Sequence, residues 1–120
     1  MSATTNPVTG AAIRQAIETR DGGMLASFYA DDAVLSIVDC DNPPSRPRVI
    51  KGKAAIDAYW ADICGRAMTH RVETIVAEGD RLAFMQACSY PEGGKVLALS
   101  TLELKDGRIV RQTAVQAWDE

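Results

Sequence analysis

The sequence predicts an α+β fold, with three helices first and a mainly antiparallel sheet after them. Three observations predict it. Apolar residues recur at helical spacing in three stretches before Thr69. Beyond Thr69 the chain breaks into apolar runs of strand length. Turn signals separate those runs: Glu78-Gly79-Asp80, Pro91 with Gly93-Gly94, and Asp106-Gly107. Helices grouped ahead of hairpins point to α+β rather than to an alternating parallel fold.

Residues 1–9 read as an arm, and residues 10–120 as one domain. Thr9 is a suitable N-cap for a helix starting at Gly10. Ile13, Ala16, Ile17 and Arg20 share one face of that helix. Asp21-Gly22-Gly23 breaks it, and Asp21 caps a second helix with Met24, Leu25, Phe28 and Tyr29 as its apolar face. Ala33–Val38 reads as a short strand. Asp39–Val49 holds three of the prolines and reads as a long loop of the kind that covers sites. A third helix is expected over Lys53–Arg66, with a stripe of Ile56, Tyr59, Trp60, Ile63 and Ala67. Gly65 loosens its end.

Four strands follow, over His70–Ala77, Arg81–Tyr90, Lys95–Leu104 and Arg108–Trp118. Asp106-Gly107 between apolar runs is a strong signal for a two-residue hairpin. A sheet covered on one face should alternate apolar and polar residues. Val96-Leu97-Ala98-Leu99 instead is apolar on both faces. Leu82 and Phe84 likewise oppose Ala83, Met85 and Ala87. Three helices cover one face only, so the other is expected to pack against a second copy of the chain as a homodimer.

Composition narrows the function. The formal net charge is −3, and no Lys/Arg cluster offers a phosphate-binding face, so no nucleic acid is expected. No apolar run nears the roughly 18 residues of a membrane span, so no membrane partner is expected. The N-terminus does not read as a secretory signal, and the expected location is cytoplasmic. Cys40, Cys64 and Cys88 are widely spaced and read as free thiols. Cys40, in the polar loop, is the most reactive of them on this reading. The chain has a single His and lacks Walker, dinucleotide and nucleophile-elbow motifs. No metal or cofactor is expected.

Phe28-Tyr29-Ala30-Asp31-Asp32-Ala33, Ile50-Lys51-Gly52-Lys53-Ala54-Ala55-Ile56, Lys105-Asp106-Gly107-Arg108-Ile109-Val110 and Trp118-Asp119 occur in this order. Together they resemble the nuclear transport factor 2-like superfamily, and within it the SnoaL-like and ketosteroid-isomerase-like proteins. The resemblance spans about Ile13 to Trp118. It implies a cone in which three N-terminal helices pack on a strongly bent sheet around a pocket, usually in a dimer. Asp31 and Asp32 are expected to define the helix-to-strand turn. A ketosteroid isomerase uses a carboxylate base with a Tyr and a protonated Asp as oxyanion hole. The matching positions here are Ile37, Ile13 and Ser100, so that chemistry is not retained.

The polar residues left for the pocket set the site expectation. His70 is placed on one strand face with Val72, Thr74 and Val76, as a general base or acid. Asp39, after the short strand, is the second catalytic candidate. Tyr29, Tyr59, Trp60, Phe84, Gln86, Cys88, Ser100, Gln116 and Trp118 are the expected pocket lining, with Tyr90 and Gln112 on the same strand faces. Trp118 and Gln116 suit a flat polar organic ligand. The expected function is proton transfer on a small apolar carbonyl compound, of lyase, isomerase or cyclase type. The alternatives are noncatalytic binding of such a molecule, or a dimeric interaction module with a filled cavity.

Overall fold

The computed structural model describes residues 8–119. Apart from Val8 and Thr9, the expected N-terminal arm lies outside the described residues. Helix α1 spans Gly10–Glu18, and the Thr9 side chain accepts from the Ala12 amide. Helix α2 spans Gly22–Ser27, and Asp21 caps it through the Met24 amide. Both caps stand where local sequence placed them, because capping satisfies orphan amides within one turn. Helix α3 runs over Lys53–Cys64, two residues short of expectation. Its Tyr59 and Ile63 are half-buried, and Ala67 lies exposed beyond its end. No helix among the described residues is long and apolar enough to cross a membrane.

Six strands form one sheet: β1 Tyr29–Val38, β2 Arg48–Lys51, β3 Thr69–Glu78, β4 Arg81–Ser89, β5 Lys95–Lys105 and β6 Arg108–Trp118. Their order is β2-β1-β6-β5-β4-β3, with β1 and β6 parallel and every other pair antiparallel. The helices cover one face. Phe28, Leu35, Ile37, Ile56 and Ile109 are almost wholly enclosed between the layers. The fold is the expected α+β cone, with three corrections to its parts.

First, the loop expected over Asp39–Val49 gives way to β2 at Arg48. A four-residue edge strand is too short to show alternation. Its pairing with β1, Ile37 opposite Arg48, comes from distant residues. Second, Asp31 and Asp32 do not form a helix-to-strand turn. They lie inside β1, where Tyr29 pairs with Ile109 and Val34 pairs with Arg111. The extra β1 residues bulge outward, which leaves both carboxylates exposed beside Lys53, Lys105 and Arg108.

Third, a bulge at Glu73 changes the faces of β3. Val72 pairs with Gln86, but Thr74 pairs with Met85 and Ile75 with Phe84. His70 and Val72 therefore face the cone together, and Ile75 follows them inward. Thr74 and Val76 face outward, and Val76 is 64% exposed. The bulge makes a prediction about stability. Ile75→Thr should destabilise by about 1–2 kcal/mol and Val76→Thr by less than about 0.5. Urea unfolding checks this, and equal effects would contradict the bulge.

Candidate functional site

The bent sheet and α3 form a half-open cavity of about 180 Å³. β3 and β4 supply His70, Gln86 and Cys88 on inward positions, Tyr90 follows just beyond β4, and β6 adds Gln116 and Trp118. From α3 come Tyr59, Trp60 and Ile63, with Arg66 and Met68 just beyond its end. Ile37, Asp39 and Arg48 close the side formed by β1 and β2. Seven of the residues expected to line a pocket or act in it are thus gathered here with His70: Asp39, Tyr59, Trp60, Gln86, Cys88, Gln116 and Trp118.

Tyr29, Phe84 and Ser100 are not on the cavity wall. Each faces inward, as alternation requires, but lies deeper in the taper of the cone. Phe84 packs in the core, at 3% exposure. Tyr29 and Ser100 belong to one buried hydrogen-bond chain. Trp60 Nε1 donates to the Tyr29 hydroxyl at 3.2 Å, Tyr29 donates to Gln112 Oε1, and Gln112 Nε2 donates to Ser100 Oγ at 3.2 Å. Each step has a consistent donor and acceptor, so four elements are joined without an orphaned polar atom. Burial pushes the Tyr29 hydroxyl far above its usual range, and the nearby Trp60 donor opposes this only in part. Tyr29 is therefore a neutral structural link.

His70 is half-buried. Its Nδ1 lies 3.1 Å from Cys88 Sγ, and its buried Nε2 has no hydrogen-bond partner. Burial, and secondarily the Arg20 cation, lower the His70 pKa below its ordinary value. Burial also pushes the Cys88 thiol up to about 11. Both shifts disfavour charge, so the pair is a neutral imidazole beside a neutral thiol rather than an ion pair. Cys88 Sγ is also 3.7 Å from Gln86 Oε1. A thiol directed to Gln86 leaves its sulfur to accept from Nδ1–H, and Nε2 then carries the lone pair.

Asp39 shares the cavity with His70, but the two make no hydrogen bond or ion pair among the described residues. Asp39 Oδ1 accepts from the Asp41 amide at 2.9 Å and from Asn42 Nδ2 at 2.8 Å. The same carboxylate thus shapes the turn that begins the loop. Cys40 is exposed, Cys64 half-buried and Cys88 buried, and all are free thiols.

The rim contains residues that sequence reasoning missed. Arg48 lies 5.5 Å above the Tyr59 ring. Arg66 donates to the Tyr90 hydroxyl at 3.0 Å and to Asp62 at 2.7 Å. Tyr90 stacks with Trp118, whose Nε1 donates to Gln116 Oε1 at 3.1 Å. Desolvation pushes the Tyr59 hydroxyl up to about 12, against the pull of Arg48 and Arg66, so it stays protonated. Tyr59 and Trp118 stand at the wall without filling the cavity.

Comparison with known proteins agrees with this architecture. Among curated proteins none matches the sequence. An NTF2-like protein of unknown function from Mesorhizobium loti superposes with a TM-score of 0.77 at 19% identity, over 88% of this chain and 84% of that one. An NTF2-like protein of unknown function from Burkholderia xenovorans gives 0.73 at 24% identity, over 92% and 79%. A Kribbella flavida protein named as a candidate ketosteroid isomerase gives 0.73 at 18% identity, over 92% and 74%. At these identities the likeness establishes the fold alone. The SnoaL-like domain matches at the level of sequence, over residues 11–112. With that match and the cone in place, the chain belongs to the SnoaL-like domain family and has the fold of NTF2-like proteins.

Proposed function

We propose that this protein catalyses proton transfer on a small, largely apolar carbonyl compound held in the cone, with His70 as the base. The observation that carries the reading is the buried, unpartnered Nε2 of the chain's one imidazole, on a residue of the cavity wall. A base buried in the neutral state is ready to accept a proton at pH 7. In the reaction a rotation of the imidazole turns Nε2 to the cavity, the C–H bond next to the carbonyl breaks and its proton goes to Nε2. The electron pair moves onto the carbonyl oxygen as an enolate. Imidazolium then returns the proton to carbon or to a leaving oxygen. Where the substrate carries no carboxylate, the protonated Tyr59 hydroxyl is a donor for the enolate oxygen. Asp39 is the one carboxylate on the wall of the same cavity. Size supports a small substrate: an apolar cavity of about 150 Å³ holds benzene.

The test follows solvent deuterium entering the α-position of small cyclic ketones and enones by proton NMR. Exchange above the buffer rate is expected with the native protein and only the buffer rate with His70→Gln. Binding of these compounds with no exchange in any of them would select the noncatalytic alternative.

The working unit in this proposal is a homodimer packed sheet to sheet. Met85, Leu99 and Val115 form one row across β4, β5 and β6 on the uncovered face, and Ala87, Leu97 and Ala117 form the next. Leu97, Leu99 and Val115 are 44%, 48% and 49% exposed. An apolar patch over three adjacent strands favours a partner. Sedimentation at micromolar concentration should give twice the 12.9 kDa chain mass. Leu99→Lys should return the protein to the monomer, and a native monomer would count against the dimer.

A further inference from the structure

The cavity holds more positive than negative charge, in a chain that is acidic as a whole. Arg48 and Arg66 oppose a single Asp39 on its wall, whereas the chain carries a net −3. The two guanidinium groups differ. Arg66 is engaged by Asp62 and Tyr90. The Arg48 side chain makes no hydrogen bond or ion pair among the described residues, and its described contact is the face of Tyr59. That stacking fixes the guanidinium plane while leaving its N–H edge for an acceptor.

Two hydroxyls share this wall. The Tyr90 oxygen accepts from Arg66, which leaves its own proton to donate. The Tyr59 hydroxyl has no described hydrogen-bond partner. A guanidinium fork with two O–H donors wants an acceptor-only group, and an ionised carboxylate is the planar match. Below the rim, Ile37, Ile63, Met68, Val96 and Ala98 leave an apolar space. Trp60 and the stacked Tyr90–Trp118 pair, with centroids 6.3 Å apart, give it flat walls.

We infer that the cavity takes small ring-bearing carboxylic acids as their anions, with the carboxylate on Arg48, Tyr59 and Tyr90 and the ring in the apolar space. The inference rests on the reading of this cavity as a small-molecule site but not on His70 acting as base. A monoanion is favoured over a phosphate dianion, because Asp39 shares the space and would repel the second charge.

The test compares benzoate, benzamide and phenyl phosphate by calorimetry at pH 7. Benzoate should bind roughly tenfold or more tightly than its neutral isostere benzamide, the effect of a charge-assisted hydrogen bond. Phenyl phosphate should bind more weakly than benzoate. Arg48→Gln should remove the preference by weakening benzoate far more than benzamide, and Arg48→Lys should restore part of it. Raising the salt concentration should weaken benzoate but not benzamide, which tests the charge without any variant. Equal affinity for benzoate and benzamide would overturn the inference, as would absence of binding at millimolar ligand or a preference that survives in Arg48→Gln. His70→Gln should keep the preference. Should His70→Gln retain both the preference and native exchange activity, the proton-transfer reading falls and the carboxylate site stands.

Discussion

His70→Gln is expected to lower turnover of a proton-transfer substrate by about 10²–10⁴-fold, the range general-base catalysis contributes. Gln keeps a polar side chain of similar reach but has no lone pair basic enough to hold a proton. The pH profile separates this from a packing defect. His70 is held below its ordinary pKa of 6.5, chiefly by burial. The acid limb of the native rate profile should therefore have its midpoint below 6.5, with the rate flat from there towards neutral pH. Linkage has the same sign. A depressed His pKa means that the unfolded chain binds the proton more readily. Its contribution to stability is complete above pH 6.5 and is lost as pH falls towards the folded-state pKa. His70→Gln should remove that part of the acid sensitivity. A midpoint at or above 6.5 would show that another group acts as base.

How much of this site was legible in the sequence depended on distance along the chain. Thr9 and Asp21 were readable as caps because a cap acts within three residues. Face was readable from alternation, which put Gln86, Cys88, Gln116 and Trp118 inside the cone. Depth was not. Tyr29, Phe84 and Ser100 face the same way yet lie beneath the cavity, because the taper is set by how strongly the whole sheet bends. Bulges were equally hidden. One extra residue at Glu73 reverses the strand face that follows, and only the pairing with β4 reveals it. The cationic rim was missed for the same reason. Arg48 stands on a strand that exists only through its pairing with β1, and an exposed arginine in a proline-rich stretch reads as solvated.

The second large effect falls on the hexapeptide Phe28–Ala33, and on its aromatic end. Phe28→Ala should cost about 3–5 kcal/mol, the usual range for a buried aromatic truncated to methyl. Phe28 is fully buried and ends α2. Its carbonyl accepts from the Ile109 amide at 2.8 Å. The ring therefore fills the point where α2, β1 and β6 meet, and little flexible chain nearby can collapse into the void. Against a total of about 5–15 kcal/mol for a domain, the loss is a large share. The melting temperature should fall by roughly 10 °C or more. Asp31→Ala and Asp32→Ala should each change stability by less than about 0.5 kcal/mol. Both side chains are exposed in the β1 bulge and make no described hydrogen bond. Phe28→Leu, which keeps most of the volume, should recover most of the loss. Thermal and urea unfolding of the four variants decide the matter. If either aspartate proved as costly as Phe28, the motif's carboxylates would be holding the bulge, and the packing account of the hexapeptide would fail.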